Sequence, residues 1–544
     1  MNFKEFQTEQ KLRGGYYTPD DLAEFLVRWV NHKSPKKILE PSCGDGVFFK
    51  PIADLIKDAQ VTGFEVDPKE AKKASKAASH VGLKRAIVKG EDFLGWAGNA
   101  IQDKNVQFDA VLGNPPFIRY QYLPPLFQGH AELIFNELGC KFTKHTNAWV
   151  PFILSSFSLL KPGGRLAMVV PAEIIHVTHA QSLRSYLGEH SSRVVIVDPQ
   201  ELWFPGTLQG AVLLLAEKKA NSRSHNEGLG IYSVRGREFL NNDPEEVFRS
   251  PQSINGKTVE GKWTRALLNP STRSLLDGLI EDNVALRFDD VAEVDVGIVT
   301  GANKFFLVED ETVKQFSLQK WAHPMFGRSE HCPGIVYDER QHQENAKTGK
   351  PTNFIWFKDE SVEKTKKGKL YIEQGKKEKL HTRYKCRIRS PWYSVPSVYA
   401  TEVGMLKRSH DTPRLILNKI GAYTTDTAYR IRLKRGTAEQ LVYGFINGLT
   451  ALSAELEGRH YGGGVLELVP SEIEKLLLPS PEKIKPKIAE LDNSIRTMSM
   501  DAVLEQQTQI TLGALGLSKT DQVELLSGWN KLRNRRHRVS SEAA

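Results

Sequence analysis

Short apolar runs separated by amphipathic or polar segments dominate the chain from about Pro35 to Glu217. KKILEPSCGDG (Lys36 to Gly46), QVTGFEVDP (Gln60 to Pro68), RAIVKGEDF (Arg85 to Phe93), FDAVLGNPP (Phe108 to Pro116), GRLAMVVPA (Gly164 to Ala172), RVVIVDPQELW (Arg193 to Trp203) and GAVLLLAEKK (Gly210 to Lys219) each read as a strand. Near-continuous apolar character, as in Phe108, Ala110, Val111 and Leu112, marks strands covered on both faces. Helical patterns lie between several of them. In AWVPFILSSFSLLKPGG, Phe152, Leu154, Phe157 and Leu160 fall near a common face, and Pro162 with Gly163 is expected to end the helix. Strand and helix in alternation predict an α/β fold with a mostly parallel, doubly wound sheet.

The pattern changes at Ala220 to Gln252, a polar stretch containing NSRSHNEG that reads as a loop or linker. Beyond it aromatics and cations interleave, most densely from Asn353 to Pro396, and Pro486 to Glu524 reads as helical and amphipathic, with Pro486 tolerable only at a helix start. The tail RNRRHRVSSEAA is expected to fray. These shifts predict a first domain over residues 1–220, a connecting segment over 221–285 and a second, α+β domain over 286–544. A chain of 544 residues with 40% hydrophobic content can fill two or three cores.

Composition narrows the classes. Cys43, Cys140, Cys332 and Cys386 lie far apart with no CxxC pair, which argues against a disulfide framework or a zinc cluster and suits a reducing cytoplasm. No metal site is expected. MNFKEFQTEQKLRGGYYTP has no apolar centre resembling a signal peptide, and no apolar run is long enough to span a bilayer, so a soluble cytoplasmic protein is expected. A formal charge of +9 favours a polyanionic partner without identifying one.

Candidate chemistry gathers at strand ends, where open α/β sheets bind ligands. In ILEPSCGDG, Glu40 can accept hydrogen bonds from a cationic group, Ser42 stands in the turn, and Gly44 and Gly46 let the backbone approach a ligand. Neither GxGxxG nor GxxxxGK[ST] is present, so a nucleoside with a small charged tail fits better than a dinucleotide or ATP. Glu65, in GFEVDP, can take two ribose hydroxyls, with Val66 covering one face of an adenine; Asp92 and Phe93 can bind its amine and flank its ring. Singly, each reads equally well as a helix cap or a core aromatic. In LGNPPF, Asn114 follows a buried strand, and Pro115 and Pro116 stiffen a loop that ends in the aromatic Phe117.

With these motifs in this order the chain resembles class I S-adenosylmethionine-dependent methyltransferases, specifically the gamma-class (TaqI-type) DNA adenine-N6 methyltransferases of type II restriction–modification systems. YYTPDDLAEFLVRWV, from Tyr16, matches the family's first motif, which implies that Thr18 and Pro19 lie over the methionine end of the cofactor. NAWVPF implies that Phe152 faces the cofactor adenine, and ELWFP that Phe204 stacks on the target base. The resemblance implies a class I mixed sheet, S-adenosyl-L-methionine as cofactor, no metal, double-stranded DNA as partner, a separately encoded restriction endonuclease, and a monomer in a bacterial or archaeal cytoplasm. The Asn114 side-chain oxygen and the Pro115 carbonyl would each accept one amino hydrogen of a flipped-out adenine, with Phe117 stacked on its ring.

The second half would then be a target-recognition domain. DVGIVTGANKFFLV, Asp295 to Val308, offers Thr300 or Lys304 as a phosphate contact. YKCRIRSPWYSVP, Tyr384 to Pro396, offers Arg387, Arg389 and Trp392 for a phosphate track with some base contact. Tyr461 followed by three glycines implies a close backbone approach, to DNA or to another strand. Other substrates of NPP loops, namely cytosine N4, an RNA base or a protein glutamine, compete with adenine. So does a DNA-binding specificity subunit without catalysis.

Overall fold

A computed structural model describes residues 18–103, 105–203, 210–221, 223–256, 259, 261–461 and 463–537. The chain forms two compact units that divide between Leu267 and Leu268.

The first unit is built on an eight-stranded sheet of β1 (Lys37–Glu40), β2 (Gln60–Phe64), β3 (Ala86–Lys89), β4 (Phe108–Gly113), β5 (Leu160–Pro171), β6 (Ser191–Pro199), β7 (Ala211–Lys218) and β8 (Leu229–Val234). Their order is β3-β2-β1-β4-β5-β7-β6-β8. β7 runs antiparallel to both β5 and β6, and every other pairing is parallel. This is the mixed sheet of the class I methyltransferase fold, with all seven expected strands in place. The strand order reverses between β1 and β4, so the loops leaving their carboxyl ends flank the crevice where such sheets bind ligands.

Local chemistry sets the helices on the sheet. α1 (Asp20–Asn31) buries Leu22, Phe25, Leu26, Trp29 and Val30, spaced three and four apart on one face, and carries Asp20 and Asp21 in its first turn where the helix dipole favours acids. α2 (Phe49–Leu55) follows the β1 turn. α3 (Pro68–His80) starts at Asp67, whose carboxylate accepts from the Lys69 N–H at 2.8 Å, with Pro68 in the first turn. α4 (Phe93–Gln102), α5 (Pro125–Glu137), α6 (Trp149–Ser158) and α7 (Gln181–His190) complete the layers described here.

Two expectations for this unit need correction. α6 ends at Ser158, and Pro162 and Gly163 lie within the irregular start of β5 instead of closing the helix. Residues 220–252 are not merely a linker. They contain β8, paired in parallel with β6 at the sheet edge, and the short helix Pro244–Arg249. An edge strand needs a partner on one side only, and LGIYSV is mixed enough in polarity to escape the apolar-run pattern. A boundary at 220 would cut β8 from its sheet.

The second unit is α+β. A five-stranded sheet takes its strands in the order Ala292–Val296, Ala428–Leu433, Val403–Leu406, Leu415–Asn418 and Val336–Tyr337, and a four-stranded sheet takes Leu307–Val308, Asn353–Ile355, Ala322–Phe326 and Tyr423–Thr424. Phe305, Phe306, Trp321, Tyr371, Trp392 and Tyr393 belong to one aromatic-rich core of this unit. The amphipathic C-terminal stretch is three helices, Ile488–Thr497, Met500–Thr511 and Lys519–Arg536. The expected fraying does not reach Arg536. Its guanidinium is fully buried against the equally buried Glu455 carboxylate, 2.6 Å away, and also donates to the carbonyls of His410, Asp411 and Gly464. Such a pair holds the last turn from inside, so the basic composition of the tail misleads. No helix among the described residues is long and apolar enough to cross a membrane.

Candidate active site

The β1–β4 pairing sets the geometry. Leu39 lies opposite Val111, which brings the turn after β1 alongside the loop after β4. The Ser42 hydroxyl accordingly donates to the Asn114 carbonyl at 3.0 Å. Pro115 is buried, while Asn114, Pro116 and Phe117 are half-buried, so the loop is seated without being closed off. The Asn114 side-chain nitrogen donates to the Thr18 hydroxyl at 3.2 Å. With that nitrogen engaged, the amide is oriented from the N-terminal segment. On the same strand Asp109 is structural: its carboxylate accepts from the backbone N–H groups of Lys36 and Lys37 and from Lys161 at 2.6 Å, pinning the start of β1 to β4.

An acidic cluster forms at the other lip of the crevice. Glu40 is buried, and its Oε2 has no hydrogen-bond partner among the described residues. Burial, reinforced by the nearby charges of Asp45 and Glu65, raises its pKa well above the usual carboxylate range. Glu65 accepts from the Gly44 N–H at 3.1 Å and the Asp67 N–H at 2.8 Å, and burial still lifts its pKa. Gly44 has positive φ and open space where a Cβ would point. Gly46 also has positive φ, and a Cβ there would come within 2.7 Å of the Phe49 ring, so packing as well as the turn requires glycine; it lines a cavity together with Thr18 and Asp45.

The third-strand residues are more occupied than their sequence role implies. Asp92 caps α4, accepting from the Leu94 and Gly95 N–H groups, and its Oδ2 also lies 2.8 Å from His130 Nδ1. Phe93 is 2% exposed, 5.3 Å from Phe152 and 5.4 Å from Phe64, and Phe152 stacks on Phe127 at 6.3 Å. Together they form an aromatic wall. Val66 stands 70% exposed beside it in sequence. His130 and Phe127 were not anticipated, because both lie on α5 and only packing reveals their partners. Phe204 lies outside the described residues.

A second network braces the chain beyond Phe117. The Asn147 side-chain oxygen accepts from the Tyr120 N–H at 3.2 Å, and its nitrogen donates to Glu173 Oε1 at 3.0 Å. Trp149 Nε1 donates to that same oxygen at 3.0 Å, and the Ala148 N–H donates to the Ile118 carbonyl at 2.9 Å. Desolvation raises the Glu173 pKa against the pull of these donors. The motif order signals neither Asn147 nor Glu173, since their pairing spans 26 residues of sequence.

Within the second unit several residues expected at DNA have other duties. Thr300 is fully buried and turns its hydroxyl to Asn303 and to the Ala302 N–H, leaving no surface for a phosphate. Trp392 packs in the core at 5.1 Å from Phe305. Arg389 donates to the carbonyls of Thr300 and Val299 at 2.8 and 2.7 Å and so works as a brace. Tyr461 ends the strand Arg459–Tyr461, which pairs antiparallel with Val465–Glu467, and its side chain is 41% exposed. Lys304 and Arg387 are exposed.

Comparison with known proteins agrees with this architecture. The family model N-6 DNA Methylase matches residues 2–235, and the C-terminal domain model of the type II methyltransferase M.Eco57I matches residues 260–512. Type II methyltransferase M.AccI of Acinetobacter calcoaceticus is 22% identical over 474 residues, covering 85% of this chain and 84% of its own. M.XamI of Xanthomonas campestris pv. amaranthicola is 22% identical over 484 residues, covering 87% and 86%. M.TthHB8I of Thermus thermophilus is 27% identical over 230 residues, covering 41% and 47%. With the mixed sheet, the Asn-Pro-Pro-Phe loop at its switch point and both family models in tandem, the chain belongs to the N-6 DNA methylases that carry an M.Eco57I-type C-terminal domain.

Proposed function

We propose that this protein is a gamma-class DNA methyltransferase that transfers a methyl group from S-adenosylmethionine to the N6 amine of an adenine flipped out of a specific double-stranded sequence. The observation that carries the reading is Asn114. Its amide stands at the carboxyl end of β4, oriented by Thr18, beside a turn of β1 that ends in a buried carboxylate.

The residues around β1 fit the cofactor. A buried, unpartnered carboxylate oxygen is costly unless a cation meets it, and Glu40 Oε2 is such an oxygen. Glu40 would hold the methionine amine, Glu65 the ribose hydroxyls, and the aromatic wall at Phe152 the adenine. When bound, S-adenosylmethionine supplies a methyl carbon made electrophilic by its sulfonium.

The remaining work falls to the Asn-Pro-Pro-Phe loop. An exocyclic amine on adenine is a poor nucleophile because its lone pair is delocalised into the ring. The Asn114 oxygen and Pro115 carbonyl accept its two hydrogens, favour a tetrahedral nitrogen and aim the lone pair at the methyl. With the amine so held, the sulfonium methyl would be the group it takes up, and the displaced amine proton would leave to water past the open side of the loop. Phe117 stacks on the extruded base, offsetting part of the few kcal/mol that unstacking costs. The second unit would supply target recognition. A separately encoded endonuclease cutting the same sequence, and a monomeric enzyme modifying one strand at a time, complete the proposal.

Nucleoside mass spectrometry of DNA from a methylation-deficient host tests it. N6-methyladenine with the wild type and a loss of about 100-fold or more with Asn114→Ala is the expected result. N4-methylcytosine instead would replace adenine as the substrate, and if no DNA base is methylated, the RNA and protein of the same extract are searched for a methylated base or glutamine.

A further inference from the structure

Two segments about 85 residues apart are locked into one knob on the second unit. The loop after the strand Ala292–Val296 turns at Gly301, where φ is +79° and a Cβ would meet the Lys385 Cβ at 2.7 Å. That close approach places the loop directly against the short helix Tyr384–Arg387. Arg389 ties them together through the Val299 and Thr300 carbonyls, and Thr300 fixes the turn from within. The scaffold is therefore rigid, and its buried residues free the neighbouring side chains to face solvent.

Those neighbours are unusual for a solvated face. Tyr384 is 63% exposed and Ile388 is 61% exposed. Around them Arg383, Lys385 and Arg387 are exposed too, as is Lys304, three residues past Gly301. Lys385 Nζ and Arg387 Cζ sit 5.6 and 5.5 Å from the Tyr384 ring centroid. Asp426 is bonded to Asn303 at 3.0 Å, on the loop side of the knob. A ring and a branched aliphatic held out in water amid several cations match a partner with rows of negative charge on either side of a channel whose floor also offers apolar contacts. A DNA groove has that form, with phosphates along its edges and base edges, including thymine methyls, on its floor.

We propose that this knob is a DNA-reading element in which Arg383, Lys385, Arg387 and Lys304 contact phosphates while Tyr384 and Ile388 enter the groove between them. The proposal rests on the reading of the protein as a DNA methyltransferase and adds to it which surface reads. It also reassigns roles along the segment: Arg389 and Trp392 build the knob, and their exposed neighbours touch the duplex.

Two variants of full-length protein separate the contributions. In Arg383→Gln/Lys385→Gln/Arg387→Gln, anisotropy titrations should show weaker binding to cognate and unrelated duplexes alike, with the salt slope reduced by about 0.9 for each phosphate that is no longer neutralised. In Tyr384→Ala/Ile388→Ala, cognate affinity should fall about 10-fold or more while binding to unrelated duplex changes little. Because all five side chains are exposed, circular dichroism and thermal midpoints should stay at wild-type values. If the wild type methylates DNA and both variants bind and methylate as it does, the knob has no role at DNA and the methyltransferase reading stands. If the wild type neither binds nor methylates any duplex, both fall together.

Discussion

The Asn114 side-chain nitrogen donates to the Thr18 hydroxyl over 3.2 Å, joining residues 96 positions apart in the chain. An amide held by its nitrogen presents its oxygen in a fixed direction, which a clamp on an amine requires. Thr18→Val keeps the shape and removes the acceptor. Turnover should drop about 10-fold, the scale of one neutral hydrogen bond. In an Asn114→Ala background, itself reduced about 100-fold or more, the same change should cost little further, because both act through one group. Additive losses in this double-mutant cycle would mean that Thr18 acts elsewhere.

Glu173 positions the chain that follows Phe117. Its Oε1 alone receives both Asn147 and Trp149, so Glu173→Gln keeps the acceptor and should remain close to wild type in turnover. Glu173→Ala leaves the buried Trp149 donor and the half-buried Asn147 donor unmet and should destabilise the fold by about 1–3 kcal/mol. It should also lower turnover more than cofactor affinity, with a smaller 2-aminopurine signal at the target position. Equal damage from Gln and Ala would show that the charge is what matters.

If Glu40 holds the cofactor amine as proposed, cofactor binding should depend on pH. Its raised pKa means that, above the ordinary value of 4.5, the folded cofactor-free protein keeps a proton that the unfolded chain gives up. Stability of the cofactor-free protein therefore falls as pH rises through that window. A bound cationic amine reverses the preference and expels the proton, so affinity for S-adenosylmethionine should rise with pH across the same window. Calorimetry in buffers of different ionisation enthalpy would count the released proton. Glu40→Gln should weaken binding and flatten both pH profiles, and an unchanged profile would remove Glu40 from the amine site.

In the second unit, Arg536→Ala should cost about 3–5 kcal/mol in urea unfolding, since it strands the buried Glu455 carboxylate. Desolvation already outweighs the guanidinium's pull and holds the Glu455 pKa above its usual value. Glu455→Leu/Arg536→Met should recover part of the loss, because no charge is then left unpaired. Truncation after Arg535 should behave like Arg536→Ala, which distinguishes a buried anchor from a dispensable tail.

What the sequence determined by itself was the catalytic unit's main architecture. Its seven apolar runs are all strands, and the central ones, such as β4 and β5, announce themselves because a strand covered on both faces must be hydrophobic along most of its length, while β3 at the sheet edge shows as an apolar run although it buries little. β8 escaped because an edge strand tolerates a mixed pattern. The Asn-Pro-Pro-Phe loop was legible for a related reason: two prolines and an aromatic immediately after a buried strand leave few conformations. Glu40 and Glu65 were legible because one ends a strand and the other directly follows one.

Tertiary structure decided everything that depends on residues remote in sequence coming together. The pairing of Asn114 with Thr18, of Asp92 with His130 and of Asn147 with Glu173 arises from packing between elements, which no local pattern encodes. Burial sorted the basic and aromatic residues of the second unit, turning Thr300, Arg389 and Trp392 inward and leaving Tyr384, Arg387 and Ile388 outside. Composition fixes how many cations and rings a segment carries. Which of them meet solvent is set by the core that the rest of the chain builds around them.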